Sequence, residues 1–320
     1  MKGNFIVEQK EKKIVVLVPC YNEETTIEKV VKSFKKNLQE AIIYVFDNNS
    51  TDKTAEIAKK AGAIVCFEKK QGKGNVIRSM FENIEADCYI LVDGDDTYDA
   101  ESARKISDLV LKDKIDMVIC DRLSSDYFAE NKRAFHNFGN RLVRYSINKI
   151  FNSDIKDILT GYRAFSRRFV KTFPITSKNF EIETEMTIHA IFTDMKIKNI
   201  KTRYKDRPAN SVSKLNTFKD GFKVIKTIIN LFKNYKPLKF FSYLSLFLIL
   251  IAAIFFFPSC LIPYIKTGVV EKIPTLIACG FIMMAALMSF FSGLILDSIM
   301  QKEKREFRLK ILKETKAFKN

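Results

Sequence analysis

Two long stretches toward the end of the chain carry no charged side chain, and they limit what the rest can build. Phe240–Phe257 is eighteen residues without a charge, and its apolar character continues through Pro258 and Pro263 to Ile265. Ile273–Leu296 supplies twenty-four more. Each meets the roughly 20-residue length of a helix that crosses a bilayer core. The connection between them, Lys266 to Lys272, is short and nearly neutral. The flanks are strongly basic. Residues 201–240 hold eleven Lys/Arg against two Asp, and residues 301–320 hold eight Lys/Arg against three acids. These two flanks carry +14 of the net +17. A nucleic-acid binder spreads its positive charge over a folded face. Here the charge brackets an apolar hairpin, which points to a membrane and away from nucleic acid. The positive-inside rule then predicts a multi-pass protein of the inner membrane with both the N-terminal region and the C-terminal tail in the cytoplasm.

The first 120 residues alternate short apolar runs with amphipathic stretches. Strands are predicted at Ile14–Val18, Ala41–Phe46, Ala63–Phe67, Cys88–Val92 and Met117–Cys120. Helices are predicted near Glu24–Asn37, Lys53–Lys60, Gly74–Asn83 and Ala100–Leu111. Continuously apolar strands suit a parallel sheet covered on both faces, so a doubly wound α/β domain is expected. Ligands of such sheets bind beyond the carboxyl ends of the strands. Three polar motifs fall at those ends: Pro19–Glu24, Asp47–Thr54 and Asp93–Asp99. Residues 121–210 are more mixed and are expected to complete the site with loops and two or three helices. From 215 to 236, Phe218, Phe222, Ile225, Ile229 and Phe232 recur at helical spacing between Lys219, Lys223, Lys226 and Lys233. That pattern predicts an amphipathic helix lying in a bilayer interface.

The chemistry sits in the motifs. Asp93 and Asp95 offer hard oxygen ligands two residues apart, with Gly94 between them to let the backbone bend. Mg²⁺ and Mn²⁺ favour such oxygens and take one or two carboxylates, leaving other positions to phosphate and water. Asp47 at a strand end suits hydrogen bonds from a nucleotide base or ribose. Lys73, in Gln-Gly-Lys-Gly-Asn at a helix start, suits a phosphate. The P-loop spacing is missing. Asp157 to Arg163 places an acid, a hydroxyl and a base around Gly161. If residues 181–185 are helical, Glu181 and Glu185 share a face and Glu183 points elsewhere, a solvated face being the ordinary reading for two of the three. Arg207, Ser211, Ser213 and Lys214 are phosphate-binding types on a loop. His136 and His189 form no metal-ligand pattern. The six cysteines form no CxxC pair and read as small buried apolar residues.

Taken in order, Val-Pro-Cys-Tyr-Asn-Glu-Glu (18–24), Asp-Asn-Asn-Ser-Thr-Asp (47–52), Gly-Lys-Gly (72–74), Asp-Gly-Asp-Asp (93–96), Thr-Gly-Tyr-Arg (160–163) and Ser-Lys-Leu-Asn-Thr-Phe-Lys-Asp-Gly (213–221) form a recognisable set. The chain resembles the family 2 glycosyltransferases of GT-A fold. Within them it is most similar to the polyprenyl-phosphate and dolichyl-phosphate sugar synthases with two C-terminal transmembrane helices. The resemblance implies a GT-A, Rossmann-like catalytic domain over 1–212, an amphipathic juxtamembrane helix over 213–237 and two spans within 238–300, at about 240–265 and 273–299. A basic tail follows over 301–320. It implies that Pro19, Tyr21, Glu23 and Asp47, with Lys73 and Asp93, surround a nucleotide-diphosphate sugar. It implies that Asp93 and Asp95 are the metal-binding DxD pair for Mg²⁺ or Mn²⁺. Asp157 would lie near the transferred sugar or acceptor, and Arg163, Arg207, Ser213 and Lys214 would hold phosphates. The family often has Asp-Asp-Gly-Ser after the second strand; here Asn48 is neutral, which argues against a direct charge role there.

The expected reaction is metal-dependent, inverting hexosyl transfer to a polyprenyl phosphate such as undecaprenyl phosphate, with Asp95, Asp157 and Arg207 closest to the chemistry. The acceptor is largely dianionic at neutral pH, because a phosphate monoester has its second pKa near ~6. It is already a competent nucleophile, so Asp157 is expected to orient groups rather than to remove a proton, with Glu183 a weaker candidate; the need for a general base stays open. Competing readings are a tethered transferase that extends a glycan, a nucleotidyltransferase and a non-enzymatic membrane adaptor. The lack of Trp argues against a processive synthase carrying a Gln-x-x-Arg-Trp motif. A homo-oligomer built through the spans is compatible with the pattern.

Overall fold

The computed structural model describes residues 12–122, 134–175, 181–205, 229–230 and 232–317. The chain divides into two compact units, residues 1–217 and 218–320.

The first unit is built on β1 (Ile14–Cys20), α1 (Ile27–Asn37), β2 (Ile42–Asp47), α2 (Thr54–Lys60), β3 (Ile64–Phe67), α3 (Lys73–Asn83), β4 (Cys88–Leu91), α4 (Ala103–Leu111) and β5 (Met117–Asp121). Then come α5 (Ala134–Phe151), β6 (Arg163–Ser166), α6 (Arg167–Thr172), α7 (Ile182–Phe192) and β7 (Ile197–Lys201). The strands form one sheet in the order β3-β2-β1-β4-β6-β5-β7. Val15 to Val18 of β1 and all of β4 are buried, as continuous apolar runs at the centre of a covered sheet must be. On α1, Ile27, Val30, Val31 and Phe34 form the buried stripe, and Lys35 and Lys36 sit in the last turn, where they complement the helix dipole.

The register fixes the edge that matters. Cys20 lies beside Asp47, and Leu17 beside Leu91, so the loops after β1, β2 and β4 leave the sheet together. The sheet departs from the all-parallel expectation at β6. This strand runs antiparallel to β4 on one side and to β5 on the other, while β5 and β7 pair in parallel. Neither β6 nor β7 follows an apolar run. The first begins with an arginine, and the second, Ile-Lys-Asn-Ile-Lys, sets its two isoleucines three residues apart and lies at the edge of the sheet. Among the described residues all six cysteines are free, as expected, and five are buried.

The second unit contains α8 (Pro237–Phe256), a π-helical turn (Phe257–Leu261) that takes up Pro258, α9 (Ile262–Thr267) and α10 (Ile273–Ala317). Two helical stretches, Pro237–Thr267 and Ile273–Leu309, are long and apolar enough to cross a membrane, with mean hydropathies of 2.6 and 2.1 over an 18-residue window of each. They pack through small residues. Ser245 and Ala252 on α8, and Cys279, Ala286 and Gly293 on α10, recur every seven residues and are all buried. A Cβ on Gly293 would meet that of Phe241 at 2.9 Å, so the backbones approach as only glycine allows. Large apolar side chains such as Phe247, Leu250, Phe281, Met288 and Ile295 face outward, an exterior suited to hydrocarbon. Helix α10 is 45 residues long. It continues through most of the basic tail, which the sequence reading had set apart from the span. The predicted interfacial helix, over 213–237, falls largely outside the described residues.

One buried group ties the fold to pH. His189 packs against the rings of Phe169 and Phe173, and burial pulls its imidazole down to about 4. The unfolded imidazole binds a proton near ~6.5, so the unfolded state takes up more protons between those values. Stability is therefore full above about 6.5 and is lost as pH falls toward about 4. His189→Phe should flatten the acid-side fall of the melting temperature, measured in detergent from about pH 7 to about pH 5. An unchanged slope would assign the fall to other groups.

Candidate active site

The loops after β1 and β2 are locked together by reciprocal hydrogen bonds. Asn48 N–H donates to the Cys20 carbonyl (2.9 Å), Asn22 N–H to Ser50 Oγ (3.0 Å) and Thr51 N–H to Asn22 Oδ1 (2.8 Å). Glu23 N–H donates to Thr54 Oγ1 (2.8 Å) and Lys53 N–H to Glu24 Oε2 (3.1 Å). Asn22 and Asn49 take left-handed backbone angles, φ 56° and 62°, which asparagine tolerates better than most residues. This lattice explains why a neutral residue follows Asp47. The Asn48 amide donates to the carbonyls of Glu68 (2.8 Å) and Lys70 (3.0 Å) while its Oδ1 accepts from Gly72 N–H (2.8 Å). A carboxylate accepts only, so it could not make the two donated bonds.

Asp47 is held differently. It is 4 % exposed; its Oδ2 accepts a long bond from Ser50 N–H (3.4 Å), and its Oδ1 is buried with no hydrogen-bond partner among the described residues. A buried acceptor without a donor is costly unless a ligand supplies one. Beside it, Pro19 is half-buried and Tyr21 is exposed.

The loop after β4 folds over the same edge. Gly94 has no left-handed angle; its need is space, since a Cβ there would meet Cys20 Sγ at 2.7 Å. Thr26 Oγ1 donates to the Gly94 carbonyl (2.7 Å) and pins the loop to the start of α1. Burial, followed by the charges of Glu23, Asp47, Asp93 and Asp95, pushes the Cys20 thiol well above its ordinary pKa. Four carboxylates from three loops thus surround one buried sulfur. Asp95 is 3 % exposed, and its Oδ1 accepts from Thr97 Oγ1 (2.6 Å). Asp96 pairs with Lys29.

Because β6 is antiparallel, its beginning lies at this edge. Gly161, two residues before Arg163, rests directly on Asp93; a Cβ there would meet Asp93 Oδ2 at 2.2 Å. Its N–H donates to Tyr98 Oη (3.0 Å). Two of the expected site residues are fully buried. Arg163 is 0 % exposed and donates to the Thr160 and Ile158 carbonyls and to Thr187 Oγ1. It braces the turn from inside and presents nothing to a phosphate. Burial pulls its pKa down to about 10, still far above neutrality. Asp157 is also 0 % exposed, and its Oδ2 accepts from Arg122 Nε at 2.8 Å. It orients Arg122 and touches no open space. Arg122, which the sequence reading passed over, follows β5, stands over the Tyr204 ring and retains some exposure. Burial opposes its charge, but Tyr98 and Asp157 hold its pKa raised.

Lys73 opens α3, and its ammonium lies 2.6 Å from Asp93 Oδ1 and 2.6 Å from Glu183 Oε1. Burial alone would lower the ammonium pKa; Asp93 and Glu183 outweigh it and raise it. Glu183 is 4 % exposed in the first turn of α7, whereas Glu181 is exposed and Glu185 half-buried. The solvated-face reading fits Glu181, and the odd one out of the three faces the site. Arg207, Ser213 and Lys214 lie outside the described residues.

Among the described residues no three His, Cys, Asp or Glu side chains gather to hold a metal unaided. Asp93 and Asp95 still fit Mg²⁺ or Mn²⁺, which use one or two carboxylates and draw their other oxygens from phosphate and water. Two substitutions test the geometry. Gly161→Ala should displace the Asp93 carboxylate and reduce donor-nucleotide affinity with little loss of melting temperature; unaltered affinity would show that Asp93 can yield. Asn48→Asp should cost about 1–3 kcal/mol of stability, read by denaturant unfolding, because two carbonyls lose their donor.

Comparison with known proteins agrees with this geometry. The model of the family described as "Glycosyl transferase family 2" matches residues 15–173. Glycosyltransferase AglJ of Haloferax volcanii is 34% identical over 230 residues, 72% of this chain and 75% of that protein. The dolichyl-phosphate hexose transferase of the same organism is 27% identical over 216 residues, 68% of this chain and 92% of that one. The glucosyl-3-phosphoglycerate synthase of Mycobacterium tuberculosis, crystallised with Mn²⁺, UDP-glucose and phosphoglyceric acid, superposes with a TM-score of 0.54. That match is 20% identical and covers 70% of this chain and 79% of the synthase. It is a likeness of fold. On the family model, the relatives and the seven-stranded mixed sheet together, the chain is a member of glycosyl transferase family 2.

Proposed function

We propose that this transferase moves a hexosyl group from a nucleotide-diphosphate sugar to a polyprenyl phosphate at a membrane surface, with inversion. The observation that carries the donor half is the unpartnered, buried Oδ1 of Asp47, on the same sheet edge as Asp93 and Asp95. It suits an N–H or O–H of the base or ribose, with Pro19, Tyr21 and Glu23 bordering the nucleotide. The acceptor half is supported by the two long apolar helices of the same chain and by a relative named for dolichyl-phosphate hexose transfer. The basic flanks favour a cytoplasmic catalytic unit and tail.

Asp93 and Asp95 would hold Mg²⁺ or Mn²⁺, which when bound supplies Lewis-acid neutralisation of the diphosphate leaving group. An oxygen of the acceptor phosphate forms the new bond to the anomeric carbon as the bond to the donor's diphosphate breaks. The acceptor is already ionised, so no side chain need remove its proton. Arg122, held by Asp157, keeps a permanent positive charge at the end of β5 for a phosphate, the duty that Arg163 cannot serve. Arg207, Ser213 and Lys214 are proposed as further phosphate contacts.

Membranes containing the protein, a divalent metal, polyprenyl phosphate and a panel of labelled nucleotide sugars should give a metal-dependent, lipid-extractable product. Asp95→Ala should lower its rate by about 10²-fold or more. A wild-type rate in that variant would sink the metal assignment. Label appearing in a soluble glycan would make the apolar helices a tether and move the acceptor out of the bilayer.

A further inference from the structure

The Lys73 ammonium, bridging Asp93 and Glu183, leads to an inference that rests on the metal assignment above. Glu183 is absent from the set of residues that would touch donor or cation, yet it is a buried carboxylate aimed at a buried ammonium. Lys73 is 11 % exposed at its side chain and shares its charge between two acids at equal distance. Asp93 is the more open of the two, 25 % against 5 % at the side chain. A divalent cation arriving at Asp93 repels the ammonium beside it. If Asp93 were the only counter-ion, taking up the cation would strand a buried, unpaired ammonium, a strongly destabilising outcome. A second carboxylate removes that obstacle.

We propose that Glu183 is a positioning residue that retains Lys73 when Asp93 exchanges its ammonium partner for the divalent cation. No bond is made or broken and no proton moves; a charge pairing is traded. Asp93 is thereby releasable, and the lysine remains beside the nucleotide end of the site. Lys73 carries the cost of the exchange, so removing it relieves the need for Glu183. A purely structural role for Glu183 predicts no such relief.

The test is binding of Mn²⁺ with UDP as the probe nucleotide, read from the free Mn²⁺ signal by electron paramagnetic resonance on full-length protein in detergent. Glu183→Gln should weaken Mn²⁺ binding by about tenfold, because Lys73 then loses the second carboxylate that pairs with it and holds Asp93 more tightly. Lys73→Met combined with Glu183→Gln should recover most of that loss. Melting temperatures recorded alongside keep misfolding from passing as weak binding. Equal affinity in wild type and Glu183→Gln, or a double variant as weak as Glu183→Gln, would overturn the exchange while leaving the metal site standing. Absence of Mn²⁺ binding by the wild type, with or without UDP, would overturn the metal assignment and this inference together.

Discussion

Inserting β6 antiparallel between β4 and β5 brings the beginning of that strand, not its end, to the carboxyl edge of the parallel strands. Everything at the site depends on this reversal. It sets Gly161 against Asp93 and Tyr98 beneath the Gly161 amide, and it places Asp157 where it can hold Arg122. A parallel strand in that position would have delivered Ser166 to the edge and carried the acid and glycine to the far end of the sheet. The fully buried guanidinium of Arg163 is the brace for the turn. It spends its donors on two carbonyls and a threonine hydroxyl of its own unit, which a neutral side chain of that length could not satisfy.

Around this reversal the loops are rigid before any ligand arrives. Asn22, Ser50, Thr51 and Thr54 cross-link the first two loops, and Asn48 ties the second loop to the entrance of α3. Preorganised polar groups cost no rearrangement when charge develops on a substrate, and that is how fixed dipoles stabilise a transition state. The same network leaves one lone acceptor, Asp47 Oδ1, in a place where nearly every other buried polar atom has a partner. Its isolation is informative because its neighbours are so thoroughly satisfied.

Much of this was legible in the residues, for physical reasons that also explain what was not. Strands β1 to β5 are short unbroken apolar runs, which only a covered sheet can use, so their positions and the polar motifs at their ends could be read directly. Asp47, Asp93 and Asp95 fall on one edge as the alternation requires. Strand β6 could not be read, because a buried arginine at its head looks like a loop residue. Strand β7 spaces its two isoleucines three residues apart, so its pattern resembles a helix face more than a strand. Asp157 and Arg163 were read as ligands because an acid and a base near a glycine are typical of sites; burial turned both inward. Glu183 was hidden for the opposite reason: α7 is buried on nearly all sides, so its spacing does not say which carboxylate faces the site.

The balance of charge at the edge has a consequence for the order of events. Glu23, Asp47, Asp93 and Asp95 all act on one buried sulfur, and Glu183 shares Lys73 with Asp93. On the proposed function, such a gathering of carboxylates would disfavour a bare diphosphate, the more so where the groups are partly removed from water. A nucleotide sugar would then enter together with its cation or after it. The carboxylates would serve selection as well as binding, by disfavouring a bare diphosphate and favouring its metal complex. On that account Asp93 must be free to accept a cation at the moment of arrival, and the paired grip on Lys73 is the feature of this fold that lets it do so without stranding a buried charge.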